Sequence, residues 1–412
     1  MRTRWRATHV LAHRDGGHAL LRDGEIVWEG DTISYVGRGY EGPVDVELDL
    51  GEALVMPGLI DLDALTDIDH LVLDSWAPPA RAAGLLWSQE YFDHRRRDVF
   101  TPAERATVRE YALVQLALHG ITTYMPIASE VHSAWAEPYD ELVTMAETSR
   151  RIGLRGYLGP AYRSGVNVAR PDGGRHVAFE EERGRTGLLD TRLLVPHGVF
   201  TDRHPSVHGE DRGDLATLAA AGVSVIHCPQ TSLRYGQVLH SFGAYRRAGI
   251  NLCLGTDSFP PDLIRGMDTG VHLAKTADGR ADAAPAEHYV EAATLGGARA
   301  LGRADLGRLE RGAQADLVAF RLDDIRDGVR DDPVRTFLLH GTARQATHSV
   351  VAGRPVMTDG RIPGTDLANL RRRAQELFER MREGYAERDV HRRGADALFP
   401  PTFPPFEETT SR

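Results

Sequence analysis

The stretch VMPGLIDLDALTDIDH, Val55–His70, opens the part of the chain that decides the fold. From here to Leu301, short apolar runs are each followed by a segment of helical length, which is typical of a parallel α/β architecture. The clearest strand candidates are ALVMPGLID, GITTYMPI at 120–127, LRGYLGP at 154–160, RLLVPHGVF, VSVIHCP and INLCLGTD. Two helix candidates, PAERATVREYALVQLALHG and DRGDLATLAAAG, end at Gly120 and Gly222.

The length of this region fits a closed barrel. Eight alternating strands and helices need about 250 residues, and the chain from Val55 to Leu301 has that length. Only about 30 residues separate LRGYLGP from RLLVPHGVF, however, and glycines interrupt them, so one strand and helix fit there more easily than two. The sequence predicts an α/β, TIM-barrel-like (β/α)8 barrel at residues 56–305 and leaves its completeness open.

Both ends of the chain predict a different kind of β-structure. Residues 7–55 and the later runs QADLVAFRL and THSVVAGRPVMTDGRI alternate apolar and polar positions between Gly and Asp, as in antiparallel strands with tight turns. We expect one small β-sandwich domain built from residues 1–55 and 306–362. Residues 363–412 then predict a C-terminal amphipathic helix and a Pro-rich tail.

Composition narrows the classes of function. The chain has 412 residues, of which 42% are hydrophobic and 26% charged, and its net charge is -10, which disfavours a nucleic-acid groove. No apolar run is long enough to cross a bilayer, and the basic start lacks the apolar core of a secretory signal. We therefore expect a cytoplasmic protein without membrane or nucleic-acid partners. Cys228 and Cys253 lie in apolar runs and predict buried, inert thiols rather than a disulfide.

Several segments together carry a family resemblance. VMPGLID, HGITT, LLVPHGV, VSVIHCPQTSL and LGTDSFPPD, followed by AATLGGARALG and LGRLERGAQADLVAF, fall in the order seen in the amidohydrolase superfamily. The chain resembles its chlorohydrolase and cytosine-deaminase-like branch in particular. The resemblance covers nearly the whole chain except the stretch between LRGYLGP and LLVPHGV, where the family has two further strand-and-helix units and a histidine ligand.

The resemblance implies one divalent metal ion, zinc, iron or manganese, at the carboxyl ends of the barrel strands, where it activates water for attack on carbon. Asp257 matches the eighth-strand Asp that binds metal and moves a proton to the leaving group. Its alternative role is to cap the following helix. His197 matches the sixth-strand His that contacts metal or polarises the electrophile. Its alternative role is a structural hydrogen bond.

The first strand departs from the His-x-His of the family. Asp63 stands at the first of these positions and offers a metal ligand, whereas Leu65 at the second cannot. His70 is a substitute ligand if the segment curls back. The alternative is that Asp67, Asp69 and His70 form a polar loop or a helix start.

Other candidates complete the predicted site. His176 offers a substitute for the fifth-strand histidine, although the charged run after it is more typical of a helix start than of a buried strand. The only lysine, Lys275, follows the eighth strand, where it cannot bridge two metal ions. The resemblance places His227 and Thr231 against the substrate. Arg163 follows a strand end, where a guanidinium can clamp an anionic or carbonyl group, or it is an ordinary surface arginine.

The resulting hypothesis is a metal-dependent hydrolase or deaminase acting on a non-peptide C–N bond of a small, cyclic or amidine-containing molecule. One alternative is a catalytically silent relative that binds a small molecule or a partner. Another is an internally shortened enzyme that folds poorly because strand edges are exposed. The family also suggests a homodimer, whereas substrate identity depends on loops and does not follow from the sequence.

Overall fold

The structure, a computed structural model, describes residues 1–68, 99–127, 139–159, 167–169, 175–177, 193–207, 210–340, 346–404 and 406. The strands are β1 (Arg2–Arg14), β2 (Gly17–Glu29), β3 (Thr32–Gly37), β4 (Val46–Asp49), β5 (Ala53–Pro57), β6 (Leu59–Leu65), β7 (Ile121–Ile127), β8 (Arg155–Gly156), β9 (Asn167–Ala169), β10 (Arg175–Val177), β11 (Leu194–Pro196), β12 (Ser224–His227), β13 (Asn251–Leu254), β14 (Leu317–Arg321), β15 (Ala346–Val351) and β16 (Arg354–Met357).

The α-helices are α1 (Pro102–Leu118), α2 (Tyr139–Ile152), α3 (Asp214–Ala220), α4 (Pro229–Arg234), α5 (Phe242–Arg247), α6 (Leu263–Asp278), α7 (Ala286–Glu291), α8 (Gly297–Leu301), α9 (Pro333–Arg335), α10 (Leu367–Glu383), α11 (Tyr385–Arg388) and α12 (Ala395–Leu398). Short π-helices occupy Ala292–Gly296 and Thr336–His340, and Ile325–Asp327 forms a 3-10 turn. Within the described ranges, none of these helices has the length and apolar character needed to span a bilayer.

Strands from both ends of the chain form one eight-stranded sheet. Its order is β16-β15-β14-β5-β1-β2-β3, and β4 pairs with β1. The long antiparallel hairpin of β1 and β2 sets Arg2 opposite Glu29. In the apolar core of this sheet, Trp5 and Trp28 meet edge to face with their ring centroids 5.4 Å apart. The two chain ends are thus joined in one sheet, as their alternating pattern predicts.

The predicted parallel strands lie in two three-stranded sheets, β6-β7-β8 and β11-β12-β13, in which every pair is parallel. Five of the six strand candidates contain one of these strands, and the sixth, ALVMPGLID, contains the start of β6. The run ALVMPGLID differs from its prediction as one strand, because Gly58 divides it into β5 of the large sheet and β6. A Cβ at Gly58 would lie 2.1 Å from Oγ1 of Thr122, so the chain passes here only without a side chain.

Only part of the region between β8 and β11 is described, and the described part includes a short antiparallel pair, β9 and β10. The strand and helix that the sequence predicts between β8 and β11 fall mostly on residues outside the described ranges. The rest of this region, on which the completeness of the barrel depends, lies outside the described residues.

The two parallel sheets meet where β6 approaches β13. The backbone N–H of Asp257, just after β13, donates to the carbonyl oxygen of Asp63 at 2.8 Å. A Cβ built on Gly255 would lie 2.4 Å from Cβ of Asp63 and 3.0 Å from Cγ2 of Ile226. β6 and β13 can therefore approach each other this closely only because residue 255 is a glycine.

Replacing Gly255 with Ala should lower the free energy of unfolding by about 1–3 kcal/mol, because the strands must move apart to admit a methyl group. Gly266→Ala is the matched control: a Cβ at Gly266, in α6, meets nothing within 4 Å, and alanine favours a helix by about 1 kcal/mol. Urea denaturation compares the two variants. Equal stability of both would contradict the close approach of β6 and β13.

The C-terminal amphipathic helix is observed as α10. It begins after Asp366, whose side chain accepts a hydrogen bond from the N–H of Asn369 at 3.0 Å. On its buried side, Leu377 and Met381 share an apolar cluster with Leu65. The helix therefore packs against the end of β6.

His18, in β2, lies where the large sheet contacts the π-helix Ala292–Gly296. Its Nε2 is 2.9 Å from Oγ1 of Thr294. Burial, together with the charges of His13 and Arg308, lowers the pKa of His18 to about 4. The folded protein therefore keeps this imidazole neutral at neutral pH.

Stability should fall as the pH drops from about 6.5 towards about 4, because His18 of the unfolded chain takes up a proton in this window and the folded one does not. Between about pH 7 and about pH 4.5, this histidine accounts for a loss of about 2 kcal/mol. His18→Gln should remove that part of the pH dependence, as urea denaturation at both pH values would show. An unchanged pH dependence in the variant would contradict the assignment.

Candidate active site

Three side chains converge at the carboxyl ends of parallel strands. Asp63 lies near the end of β6, His197 follows β11, and Asp257 follows β13. Nε2 of His197 is 3.3 Å from Oδ2 of Asp257 and 3.8 Å from Oδ2 of Asp63. The structure thus brings together three of the residues that the sequence predicts for one site, because strand ends of this kind meet on one side of a parallel α/β barrel.

The backbone at two of these residues is strained. His197 and Asp257 have φ angles of 63° and 36°, which residues other than glycine seldom adopt. The N–H of His197 donates to the carbonyl oxygen of Ile226 at 2.8 Å. The hydroxyl of Thr231 donates to the carbonyl oxygen of Asp257. Such strain persists where surrounding contacts enforce it, and it is concentrated at functional sites.

Asp63 and His197 differ in their exposure. Asp63 is 2% exposed, and the thiol of Cys228 donates to its Oδ2 at 3.3 Å. Burial raises the pKa of Asp63, while the neighbouring His197 and the hydrogen bond from the thiol oppose the rise. The side chain of His197 is 40% exposed. Solvent therefore reaches the site from the side of His197.

Cys228 lies beside Asp63, a contact that the sequence does not predict. Both cysteines are buried and free, as expected. Within the described ranges, however, Asp63, His197 and Cys228 bring one donor atom each to within 4.8 Å of one another. The signal in the sequence was the position of Cys228 directly after a strand end. A carboxylate oxygen and an imidazole nitrogen this close fit a divalent metal ion.

A buried arginine fixes the chain beyond β6. Arg109, in α1, is 2% exposed and donates to the carbonyl oxygen of Thr66 at 2.6 Å and to its hydroxyl at 2.9 Å. Its guanidinium is also 3.7 Å from the carboxylate of Asp67 and 3.6 Å from that of Glu141. Asp67, one candidate for a polar loop, lies in a bend after β6 and is part of a buried ionic group. A charge this buried requires such partners, so these contacts hold Thr66 and Asp67 against α1.

Asp61 is a further buried carboxylate that the sequence did not single out. Oδ2 of Asp61 accepts from the hydroxyl of Thr256 at 2.7 Å, and Oδ1 accepts from the backbone N–H groups of Thr256 and Asp63 at 3.0 and 3.2 Å. Burial raises the pKa of Asp61 to about 7, although these hydrogen bonds favour the charged form. This side chain ties β6 to the residue before Asp257.

Asp61→Ala should lower the free energy of unfolding by about 3 kcal/mol, because the hydroxyl and two N–H groups lose their acceptor inside the protein. Asp49→Ala is the control. Asp49 is exposed and accepts a single hydrogen bond, from Gly51, so its loss should cost less than about 1 kcal/mol. Chemical denaturation measures both. A small effect at Asp61 would show that it does not hold the two strands together.

His227 and Thr231, the predicted substrate contacts, are both buried. His227 is 1% exposed, and its ring centroid lies 5.9 Å from that of Phe242 and 6.2 Å from that of Tyr289. Burial lowers the pKa of His227 to about 3, and His197 contributes to the shift. Nδ1 of His227 has no hydrogen-bond partner among the described residues. Since Thr231 donates to the backbone of Asp257, these contacts favour roles in positioning the site.

The structure describes some of the remaining candidate site residues. Leu65 is 1% exposed within the apolar cluster under α10, in agreement with its inability to bind metal. His70 and Arg163 lie outside the described residues. His176 lies in β10, but its side chain is not described. Lys275 lies in the last turn of α6.

Comparison with known proteins identifies the family to which this chain belongs. The model of the amidohydrolase family matches residues 164–356. An 8-oxoguanine deaminase from Pseudomonas aeruginosa is 30% identical over 426 residues, covering 84% of this chain and 92% of that protein. The chain belongs to the amidohydrolase family. The family expected from the sequence is confirmed, and the deaminases among the relatives agree with the expected deaminase-like branch.

Other relatives match a smaller part of their length. A 5-methylthioadenosine/S-adenosylhomocysteine deaminase from Halobacterium salinarum is 34% identical over 48% of this chain. One from Syntrophobacter fumaroxidans is 32% identical over 51% of this chain. In both cases the chain spans only 45% of the length of the relative.

Solved structures show the same fold. An atrazine chlorohydrolase from Arthrobacter aurescens, complexed with zinc, has a TM-score of 0.67 at 20% identity and covers 91% of this chain and 100% of that chain. An adenosine deaminase from Xanthomonas campestris with bound zinc has a TM-score of 0.68 at 18% identity and covers 92% of this chain and 98% of that chain. These likenesses support a mixed α/β, TIM-barrel-like fold for this chain.

Proposed function

We propose that this chain is a metal-dependent hydrolase that removes an amino group from a small heterocyclic molecule. The bond broken is a C–N bond other than a peptide bond. The observation that carries the proposal is the 3.3 Å contact between His197 and Asp257, beside the buried Asp63, at three strand ends. An acid–base pair next to a buried carboxylate is the arrangement that hydrolysis of such a bond requires.

Asp63 and His197 would hold the metal ion, with Asp257 next to them. When bound, a divalent ion lowers the pKa of a water molecule towards neutrality. The zinc named in the structures of the adenosine deaminase and the atrazine chlorohydrolase supports this choice of ion. The low exposure of Asp63 strengthens its electrostatic interaction with a cation, because little water screens the charge.

Asp257 would act as the base and then as the acid. Its Oδ2 takes a proton from the attacking water and passes it to the amino nitrogen of the substrate. The water oxygen forms a bond to the ring carbon, the C–N bond breaks, and ammonia leaves with the transferred proton. The hydrogen bond from the Asp257 N–H to Asp63 holds this carboxylate in place during the transfer. His197, being partly exposed, lies where a substrate entering from solvent would meet it.

The names of the relatives narrow the substrate class. 8-Oxoguanine, 5-methylthioadenosine and S-adenosylhomocysteine each carry an exocyclic amino group on a purine ring, and deamination replaces it with oxygen. An aminopurine or a related aminated heterocycle is therefore the class to test first. The assay is release of ammonia from these three compounds by protein that has been incubated with zinc, iron(II) or manganese.

Asp257→Asn should lower kcat by about 10²–10⁴-fold, because the amide cannot take up the proton of the water. Asp262→Asn, five residues later, is the matched control. Asp262 caps α6 by accepting from the N–H of Arg265 at 3.0 Å, and asparagine caps a helix about equally well. Ammonia release by the two variants, with circular dichroism as a check of folding, measures the difference. Equal activity of Asp257→Asn and the native chain would refute the assigned role.

A catalytically silent relative is the second candidate, and Leu65 favours it. This side chain fills the second ligand position of the first strand and packs in an apolar cluster instead. If the protein binds small heterocycles but releases no ammonia from them, both with and without added zinc, it is a binding protein. That result would overturn the enzymatic proposal.

A further inference from the structure

The loss of histidines from the first strand leaves the metal site short of ligands. Asp63 keeps one donor, but Leu65 offers none. A catalytic zinc site ordinarily has three protein ligands and one position for water. Asp63 and His197 supply two, so a third donor from a nearby side chain is required to complete the set.

Cys228 is the side chain best placed to supply it. Its thiol is 0% exposed and lies 3.3 Å from Oδ2 of Asp63. Within the described ranges, Asp63, His197 and Cys228 are the group of potential donors whose atoms all lie within 4.8 Å of one another. Asp257 is close to His197 but is not a member of that group.

The spacing of these donors fits a single ion. Bond lengths of about 2.3 Å to sulfur and about 2.1 Å to nitrogen or oxygen in a tetrahedron set sulfur about 3.6 Å from oxygen, and nitrogen about 3.4 Å from oxygen. The observed separations are 3.3 Å between Cys228 and Asp63 and 3.8 Å between His197 and Asp63. Small side-chain rotations are enough to reach the ideal values.

The architecture around Cys228 directs its sulfur to the site. The residue follows the end of β12, the central strand of its sheet, and shares an apolar cluster with Ile60 and Leu62 of β6. Besides the contact with Asp63, its Sγ makes, within the part of the chain that the structure describes, one long contact of 3.9 Å to the carbonyl oxygen of Ile226. The thiol therefore faces a carboxylate in apolar surroundings.

We propose that Cys228 is a metal ligand, which together with Asp63 and His197 holds the ion and leaves proton transfer to Asp257. This inference rests on the proposed function. Binding displaces the thiol proton, which leaves to solvent, and the thiolate sulfur then bonds to the metal. Because sulfur is a soft donor, the site should favour zinc or cobalt over manganese.

Cobalt(II) provides the test, because a thiolate ligand gives its complexes an intense near-ultraviolet charge-transfer band. The native chain, stripped of metal and titrated with cobalt(II), should develop this band. Cys228→Ser should lose it and bind zinc at least about 10-fold more weakly. Cys253→Ser is the matched control, since Cys253 is equally buried and its Sγ contacts the carbonyl oxygen of Val225 at 3.5 Å. This variant should keep both properties.

A measurement on the unmodified chain makes the test independent of how the variants fold. X-ray absorption at the zinc edge should show one sulfur at about 2.3 Å from the metal. Bound metal with only nitrogen and oxygen neighbours, or a thiolate band that survives in Cys228→Ser, would overturn the assignment of Cys228 but leave the proposed function standing. Failure of the native chain to bind zinc or cobalt at all would instead refute the proposed metal-dependent function.

Discussion

The hydrogen bond between the backbone of Asp257 and that of Asp63 is the contact on which the site depends. It forms because Gly255 has no side chain to keep β13 away from β6. Through it, two carboxylates from distant parts of the sequence come to the same edge of the structure. β12 pairs with β11 on one side and β13 on the other, which brings His197 to the same edge.

Burial of acidic groups here is unfavourable for folding. Asp61 and Asp63 are 0% and 2% exposed, and each takes hydrogen bonds from few groups. Moving a carboxylate out of water costs several kcal/mol unless partners compensate. The Asp61 carboxylate has its hydrogen-bond partners within the protein, and these bonds link β6 to the residues after β13. Among the described residues, the Asp63 carboxylate has the thiol of Cys228 and the neighbouring His197 as partners, so a cation is the partner that would best balance its charge.

The altered first strand has a consistent structural explanation. Leu65 packs with Leu377 and Met381, so the C-terminal helix covers the position at which a second histidine would stand in the family. The thiol of Cys228, which follows β12, contacts Asp63. In the proposed site, the donors would therefore come from β6, β11 and β12 instead of from the two first-strand histidines, both of which are replaced in this chain.

The sequence by itself determined the position of most parallel strands, the joining of both chain ends in one sheet, the C-terminal helix and the family, because these follow from local periodicity and from motifs read in order. It also indicated Asp63, His197 and Asp257, each at the end of an apolar run. It did not predict the division of ALVMPGLID into β5 and β6 or the antiparallel pair of β9 and β10. Only the tertiary structure decided that Cys228 faces Asp63, that Asp61 binds Thr256, and that Thr231 holds the backbone of Asp257. These are contacts between strands far apart in the chain, and periodicity within one strand does not specify which side chains of another strand it will meet.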